Sequence, residues 1–542
     1  MKTIRLTALL AALSTVCLVV LLSPACRAKA PEGITPAEIE SHIRFLSDDL
    51  LEGRAVGSRG IDLAALYHET QFRLAGLKPF FGEGYRQTFD LKGSQPDRNM
   101  TLEVRGEKTA AQVFKYPESF VGLTYREDCP GLIEGELVYA GYLIQAPERQ
   151  WDDIKGADLS GKILLCEINE PGNVPGGIFD GEEMNYYGRW TYKFEKAAEL
   201  GAAGVLIIHN AKGAAYGWEV VQNGWAGENF FLPDVPQKLF FQGWVSGPVA
   251  EEIFKAAGRD RTELLGLAET SDFKPVGLGL KARIRQKASF RTVTTTNVAG
   301  IVGPKEQKPD TRTIILTAHY DHFAPDPRLS GDQILNGALD NCSASAALLA
   351  LARFYGQQAD KMKVNLVFAA VTAEEQVLLG SIYFVRHLPI PKNSILADIN
   401  LEMTNVWGEV EDVYGIGAGH SDLDDVCRRA AERLGLRYIP EREKNLGYAF
   451  RSDQMSFLRA GIPAVWLHEG ITSRGKDPDR IKVKTDDYKK NRYHKVTDEM
   501  QPDWDFRGTV QIARWAEEII TLLSDSKTLP QFKPTSSFRR IP

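Results

Sequence analysis

Five short stretches of the chain carry side chains of the kinds that bind divalent metals: Thr317-Ala-His319-Tyr-Asp321, Gly337-Ala-Leu-Asp340-Asn341, Thr372-Ala-Glu374-Glu375, Ile399-Asn-Leu-Glu402-Met403 and Arg492-Tyr493-His494. Together they offer two imidazoles (His319, His494), three carboxylates (Asp340, Glu375, Glu402) and one further carboxylate, Glu374, beside a ligand. That inventory suffices to hold two zinc ions and to activate a water between them. The implied chemistry is hydrolysis.

Each residue has a plainer reading that only the set displaces. His-x-Asp alone is weak, although Asp321 is placed to turn back onto the far nitrogen of His319 and fix its tautomer. Asp340 precedes an alanine-rich helix and could be its N-cap; as a ligand it is placed to bridge two ions. The Glu374-Glu375 doublet directly follows a wholly apolar strand, so it is no ordinary solvated face, and adjacent glutamates can divide the labour. Glu375 is assigned to metal and Glu374 to the general base. Glu402 lies in an apolar run where an unpaired carboxylate would cost several kcal/mol, which calls for a cation. His494 sits in the stretch 486–498, expected to be rich in loops. Cys342 reads as a small buried filler.

These positions need a rigid frame, and the sequence provides one. Apolar runs over 313–318, 365–371, 395–403 and 463–467 predict strands, with a helix over 343–354 between the first two. Alternating strand and helix implies α/β architecture, a mainly parallel mixed sheet covered by helices on both faces. The candidate residues follow the C-terminal ends of its strands, where ligands sit in open α/β sheets. Residues 31–129 are expected to open the same domain, beginning with helices on which Ala64, Ala65, His68, Phe72 and Ala75 share a face. Residues 130–272 have a different texture, with short β runs, a helix over 190–200 and no cluster of catalytic residue types, and are expected to form a smaller β-rich insert. The catalytic domain resumes over 273–530, and 531–542 is expected to be a loosely held tail.

Composition sets the outer bounds. With 542 residues, 43% hydrophobic and 25% charged, the chain has ample core and no mark of disorder. Residues 1–30 combine Lys2 and Arg5 with an apolar run over 6–22 and small residues after it, the layout of a secretory signal. Export to the periplasm, the medium or the envelope is expected. Cleavage after Ala30, lipidation at Cys26 and a retained anchor are the alternatives, and membrane association is expected only through this segment. The formal net charge is −6 and becomes more negative if residues 1–30, with Lys2, Arg5, Arg27 and Lys29, are removed, which argues against a nucleic-acid partner. Cys129, Cys166, Cys342 and Cys427 match no zinc-finger spacing, and a Cys129–Cys166 bridge is conceivable.

The five metal stretches, taken with Leu46-Ser-Asp-Asp-Leu-Leu-Glu-Gly-Arg54, Gly57-Ser-Arg-Gly60, Thr296-Asn-Val298, Ser452-Asp453 with Gly461-Ile-Pro463, and Tyr493-His-Lys-Val-Thr-Asp498, resemble the di-zinc aminopeptidase family that includes bacterial leucyl aminopeptidases, glutamate carboxypeptidases and glutaminyl cyclases. The blocks stand in family order over nearly the whole mature chain. Asp158-Leu-Ser-Gly-Lys162 and Gly201-Ala-Ala-Gly204 resemble the protease-associated domain often inserted in such enzymes. The resemblance implies two zinc ions. His319 and Glu402 would hold one, Glu375 and His494 the other, and Asp340 would bridge them. Glu374 would be the base, Asp321 the orienter of His319, and Tyr493 a hydrogen-bond donor to the tetrahedral oxyanion. Many members carry Asp where Glu402 stands, which makes Asp398 a fallback ligand.

The expected activity is removal of N-terminal residues from peptides by an exported aminopeptidase. Three rivals are a carboxypeptidase for acidic C-termini, drawing on the basic stretch 474–490, a glutaminyl cyclase, which would need only one zinc, and a non-catalytic binding ectodomain, which would need lost ligands. Neither the preferred side chain nor the oligomeric state is readable.

Overall fold

The structure, a computed structural model, describes residues 33–540 except 108 and 307–310; the signal-like segment 1–30 lies outside the described residues. The fold is mixed α/β, built on a ten-stranded sheet. Its centre is the parallel set Asn365–Val371, Thr313–His319, Ile395–Leu401 and Ala464–Glu469. Antiparallel strands flank it, with Ala288–Val302 and Arg86–Pro96 on one side and Asp412–Ile416 on the other.

All seven residues of each of the first three central strands are buried. That is the burden of a sheet covered on both faces, and it explains why these strands read as unbroken apolar runs. Side chains alternate between two cores. Leu366, Phe368 and Ala370 pack with helices Pro36–Leu46, Arg59–Leu74, Ala344–Gly356 and Arg507–Asp525, whereas Val367, Ala369 and Val371 pack with Leu379–Arg386 and Gln454–Arg459. The two N-terminal helices are closed by the expected chemistry, Thr35 and Ser58 each accepting a backbone N–H of the first turn.

A second sheet of eight strands has its own core around Leu102, Leu165, Trp244 and Phe254. It is wider than the expected insert 130–272. Strands Thr101–Gly106, Gln112–Lys115 and Phe120–Leu123 join it before that span, and Val276–Arg285 after it. Val276–Arg285 pairs with both Thr101–Gly106 and Leu132–Tyr139. It buries Leu278, Leu280, Ala282 and Ile284 in strict alternation, a period-two pattern that also reads as the end of the insert.

Three further expectations are corrected. The Cys129–Cys166 bridge is absent, since all four described cysteines are free; Cys166 is buried and Cys129 lies against Gln286 and Phe240. Residues 486–491 of the stretch expected to be rich in loops belong to helix Arg480–Asn491, which also takes in much of the basic stretch 474–490. The tail is docked: Phe538 is buried and the Arg540 guanidinium donates to the carbonyls of Ile395, Leu396 and Pro530. Among the described residues no helix is long and apolar enough to cross a membrane.

Candidate metal centre

The five stretches converge at the C-terminal edge of the parallel strands. His319 is the last residue of its strand, Glu402 follows Leu401, and Glu374 and Glu375 lie three and four residues beyond Val371. Asp340 arrives on the turn before helix Ala344–Gly356, and His494 on the loop after Arg480–Asn491. Ala373, Met403 and His494 are non-glycine residues with positive φ of 54°, 41° and 56°. Such strain is tolerated where the surroundings fix the backbone, and here it falls on or beside three of the candidate donors.

The donors form two sets that meet at Asp340. His319 Nε2 stands 3.1 Å from Glu402 Oε1 and 3.4 Å from Asp340 Oδ1. His494 Nε2 stands 3.1 Å from Asp340 Oδ2 and 3.4 Å from Glu375 Oε2. Glu374 Oε2 lies 3.9 Å from His319 Nε2. Donor atoms of His319, Glu374 and Glu402 lie within 4.8 Å of one another, as do those of His322, Asp340 and Glu375. Asp398 is in neither group; it is buried inside the sheet, where Thr317 donates to it at 3.0 Å.

Around the donors stands a ring of fixing contacts. Asp321 Oδ1 lies 3.5 Å from His319 Nδ1, and the same carboxylate accepts the backbone N–H groups of Glu374 (3.0 Å) and Glu375 (3.2 Å). It therefore holds the glutamate doublet as well as the imidazole. Asp498 accepts the N–H groups of Leu339 (3.0 Å) and Asp340 (3.1 Å) and the Tyr488 hydroxyl (3.0 Å). Ser452 donates to Glu402 Oε2 at 2.8 Å. The buried Arg54 guanidinium donates to carbonyls of Leu46, Tyr320 and Gly337, tying the first helix to the loops that carry His319 and Asp340. The Tyr493 ring stacks on His494 at 3.8 Å and is 41% exposed, on the rim of the site.

His322, Asp498, Ser452 and Arg54 were not singled out from the sequence as site residues. For His322 the only cue was its place after Asp321. It is buried, with Nδ1 2.8 Å from Glu375 Oε1 and no partner at Nε2.

Electrostatics mark the site as a place for cations. Burial pushes the Glu374 carboxyl well above its usual range, and the Glu402 and Glu375 charges add to this against the pull of His319. Burial also raises Glu402, against His319. Burial would lower the His494 imidazole, but Glu375 and Asp340 hold it up at about 9. Asp340, Glu374, Glu375 and Glu402 are ion-paired with histidines, and among the described residues no Lys or Arg pairs with any of them. Carboxylates gathered this way out of water need divalent cations, and the donor set fits zinc.

Two cavities meet here. One of about 150 Å3 is lined by Asp340, Glu402, Met403, Trp407, Trp466 and Glu469 among others. A groove of about 720 Å3 runs from Glu374 and Glu375 to Tyr186, Arg189 and Trp190 of the smaller module. Glu374, Glu375, Arg451 and Tyr493 line both.

Residues 297–516 match the sequence profile of Peptidase family M28. The aminopeptidase from Aneurinibacillus sp. strain AM-1 superposes with a TM-score of 0.52 at 19% identity, covering 94% of this chain and 98% of that one, and so shares the fold. The zinc aminopeptidase BSAP from Bacillus subtilis aligns over 92% of this chain and 95% of its own with a TM-score of 0.41 at 18% identity. A peptidase M28 precursor from Shewanella amazonensis SB2B aligns over 92% and 99%, with a TM-score of 0.41 at 15% identity.

Proposed function

We propose that the protein, whose residues 297–516 match Peptidase family M28, is a co-catalytic zinc aminopeptidase, exported through its N-terminal segment. The observation that carries this is the pair of donor sets sharing one carboxylate. His319 pairs with Glu402 and with Asp340 Oδ1, and His494 pairs with Glu375 and with Asp340 Oδ2. These five residues would hold two zinc ions, which supply Lewis-acid polarisation of the scissile carbonyl and a water of lowered pKa.

The chain's own groups do the rest. Glu374 would take the proton from the water and deliver it to the leaving amine. Asp321 holds Glu374, Glu375 and His319 in mutual register. His322 orients Glu375. Tyr493, on the rim, would donate to the developing oxyanion.

Two features favour cleavage from the amino end. The smaller cavity is rich in carboxylates near the junction, Asp340, Glu374, Glu375 and Glu402, which suits a free α-amine. Its lysine, Lys489, is already paired with Glu443. The larger groove, bordered by the smaller module, would take the remaining peptide. A carboxypeptidase reading rests on Arg451, whose Nε and Nη2 are buried without partners at the junction of the two cavities. Zinc analysis together with hydrolysis of matched peptides blocked at one end decides between them. Amino-acetylated peptides should resist and carboxamides should be cut; the reverse pattern would sink the proposal.

A further inference from the structure

Beyond the junction marked by Glu374, Glu375, Arg451 and Tyr493, the smaller cavity runs between the aromatic walls of Trp407, Trp466, Tyr448 and Tyr488 to a carboxylate, Glu469, that the larger groove does not touch. Glu469 ends the strand Ala464–Glu469. Its side chain is 5% exposed, and no described residue donates a hydrogen bond to its carboxylate. The nearest ring nitrogen, His468 Nδ1, is 3.7 Å away and lies 2.7 Å from the backbone oxygen of Glu469. The cavity's other cations are placed elsewhere. Lys489 bonds Glu443 at 2.7 Å and lies over Tyr448, and Arg451 stands at the junction over Tyr216 and Tyr448.

A carboxylate that faces the cavity without a protein hydrogen-bond donor is available to a cation that arrives with the ligand. The approach to it suits such a cation. Aromatic faces attract an ammonium or guanidinium, and they also cover the methylene stem behind it.

We infer that this cavity receives the side chain of the substrate's N-terminal residue and that Glu469 makes it select a basic one, lysine or arginine. The inference rests on the aminopeptidase reading above.

The test compares the p-nitroanilides of lysine and norleucine, which differ at the end of the chain by the charged amine, on the zinc-loaded wild type and on Glu469→Gln. Wild-type kcat/KM should favour lysine by at least about tenfold, mainly through KM, and in Glu469→Gln the ratio should fall to unity or below. Competition of lysinamide against norleucinamide on the wild type gives the same ordering without relying on the variant to fold. Brisk hydrolysis of norleucine with no lysine preference would leave an aminopeptidase standing and overturn the role of Glu469. Equal loss on both substrates in Glu469→Gln would place the carboxylate on the shared α-amine and also overturn it. Cleavage only from the carboxyl end of peptides would remove the aminopeptidase reading and this subsite with it.

Discussion

The two adjacent glutamates separate at the level of single contacts. The Glu375 carboxylate is held by two imidazoles, His322 at 2.8 Å and His494 at 3.4 Å, whereas among the described residues the Glu374 carboxylate is paired only with His319, at 3.9 Å. Glu374→Gln is therefore expected to keep its zinc and its substrate affinity while kcat falls by at least about 10²-fold, the scale of a general base. Glu375→Gln should instead lose part of its zinc on dialysis. Zinc stoichiometry and steady-state kinetics on both variants check this, and the opposite assignment of metal loss would exchange the two roles. At this scale the sequence was most informative about donors and least about the groups that fix them. His319, Asp340 and Glu402 are legible because charged residues at the ends of apolar strands need a reason. His322 acquires its meaning only from Glu375, 53 residues away. Glu469 resembles any carboxylate closing a strand until its place in the cavity is seen.

Elements tell the same story through periodicity. The central strands are readable because both faces are buried, and helix Arg59–Leu74 because its apolar stripe repeats. Helix Arg480–Asn491 escapes such reading because only Ile481 and Tyr488 are buried along its twelve residues. Within Arg59–Leu74 the stripe includes an imidazole, His68, wholly buried with Nδ1 2.8 Å from the Ala64 carbonyl and no partner at Nε2. Burial lowers its pKa to about 4. The folded state thus holds the neutral ring while the unfolded chain takes up a proton near pH 6.5. The stabilising contribution is complete above pH 6.5 and is lost as pH falls toward 4, with a slope of up to about 1.4 kcal/mol per pH unit. Urea unfolding of metal-free protein between pH 7 and 4 should show a shallower decline for His68→Gln than for wild type. Coincident slopes would exonerate His68.

For the molecule as a whole, two cores lie side by side and the groove runs along their seam. The seam is polar at its edges. Arg459–Glu195 at 2.7 Å and Lys444–Glu183 at 2.9 Å cross it, with Tyr186 against Phe450 within. Half-exposed pairs like these contribute about 1 kcal/mol or less each, so their value lies in alignment. Arg459→Glu should lower the thermal midpoint by about 2 °C at most yet raise KM for longer peptides more than for aminoacyl anilides, because Arg459 and Glu195 line the groove. The exchange Glu195→Arg with Arg459→Glu should recover most of that KM if pairing, and not either charge alone, is what matters. The presence of a second module was legible in the change of texture after residue 130. Its true extent was not, because strands Thr101–Gly106 and Val276–Arg285 are far apart in sequence and become neighbours only in the folded sheet.

Asp321 and Asp498 each grip two consecutive backbone N–H groups of a donor loop, and Asp340 belongs to both donor sets. Asp340 thus links the two halves of the centre. If the centre takes two ions, one arriving at His319 and Glu402 would orient the carboxylate that the second would use, so part of the ordering cost would be met before the second bound. Such coupling is reciprocal and appears as cooperativity. Zinc added stepwise to chelator-stripped protein, followed by equilibrium dialysis, should load with a Hill coefficient above one, and Asp498→Asn should flatten the curve toward two independent sites. At limiting zinc the population would then divide into empty and fully loaded molecules with few half-loaded ones, and the enzyme would respond to metal supply as a switch.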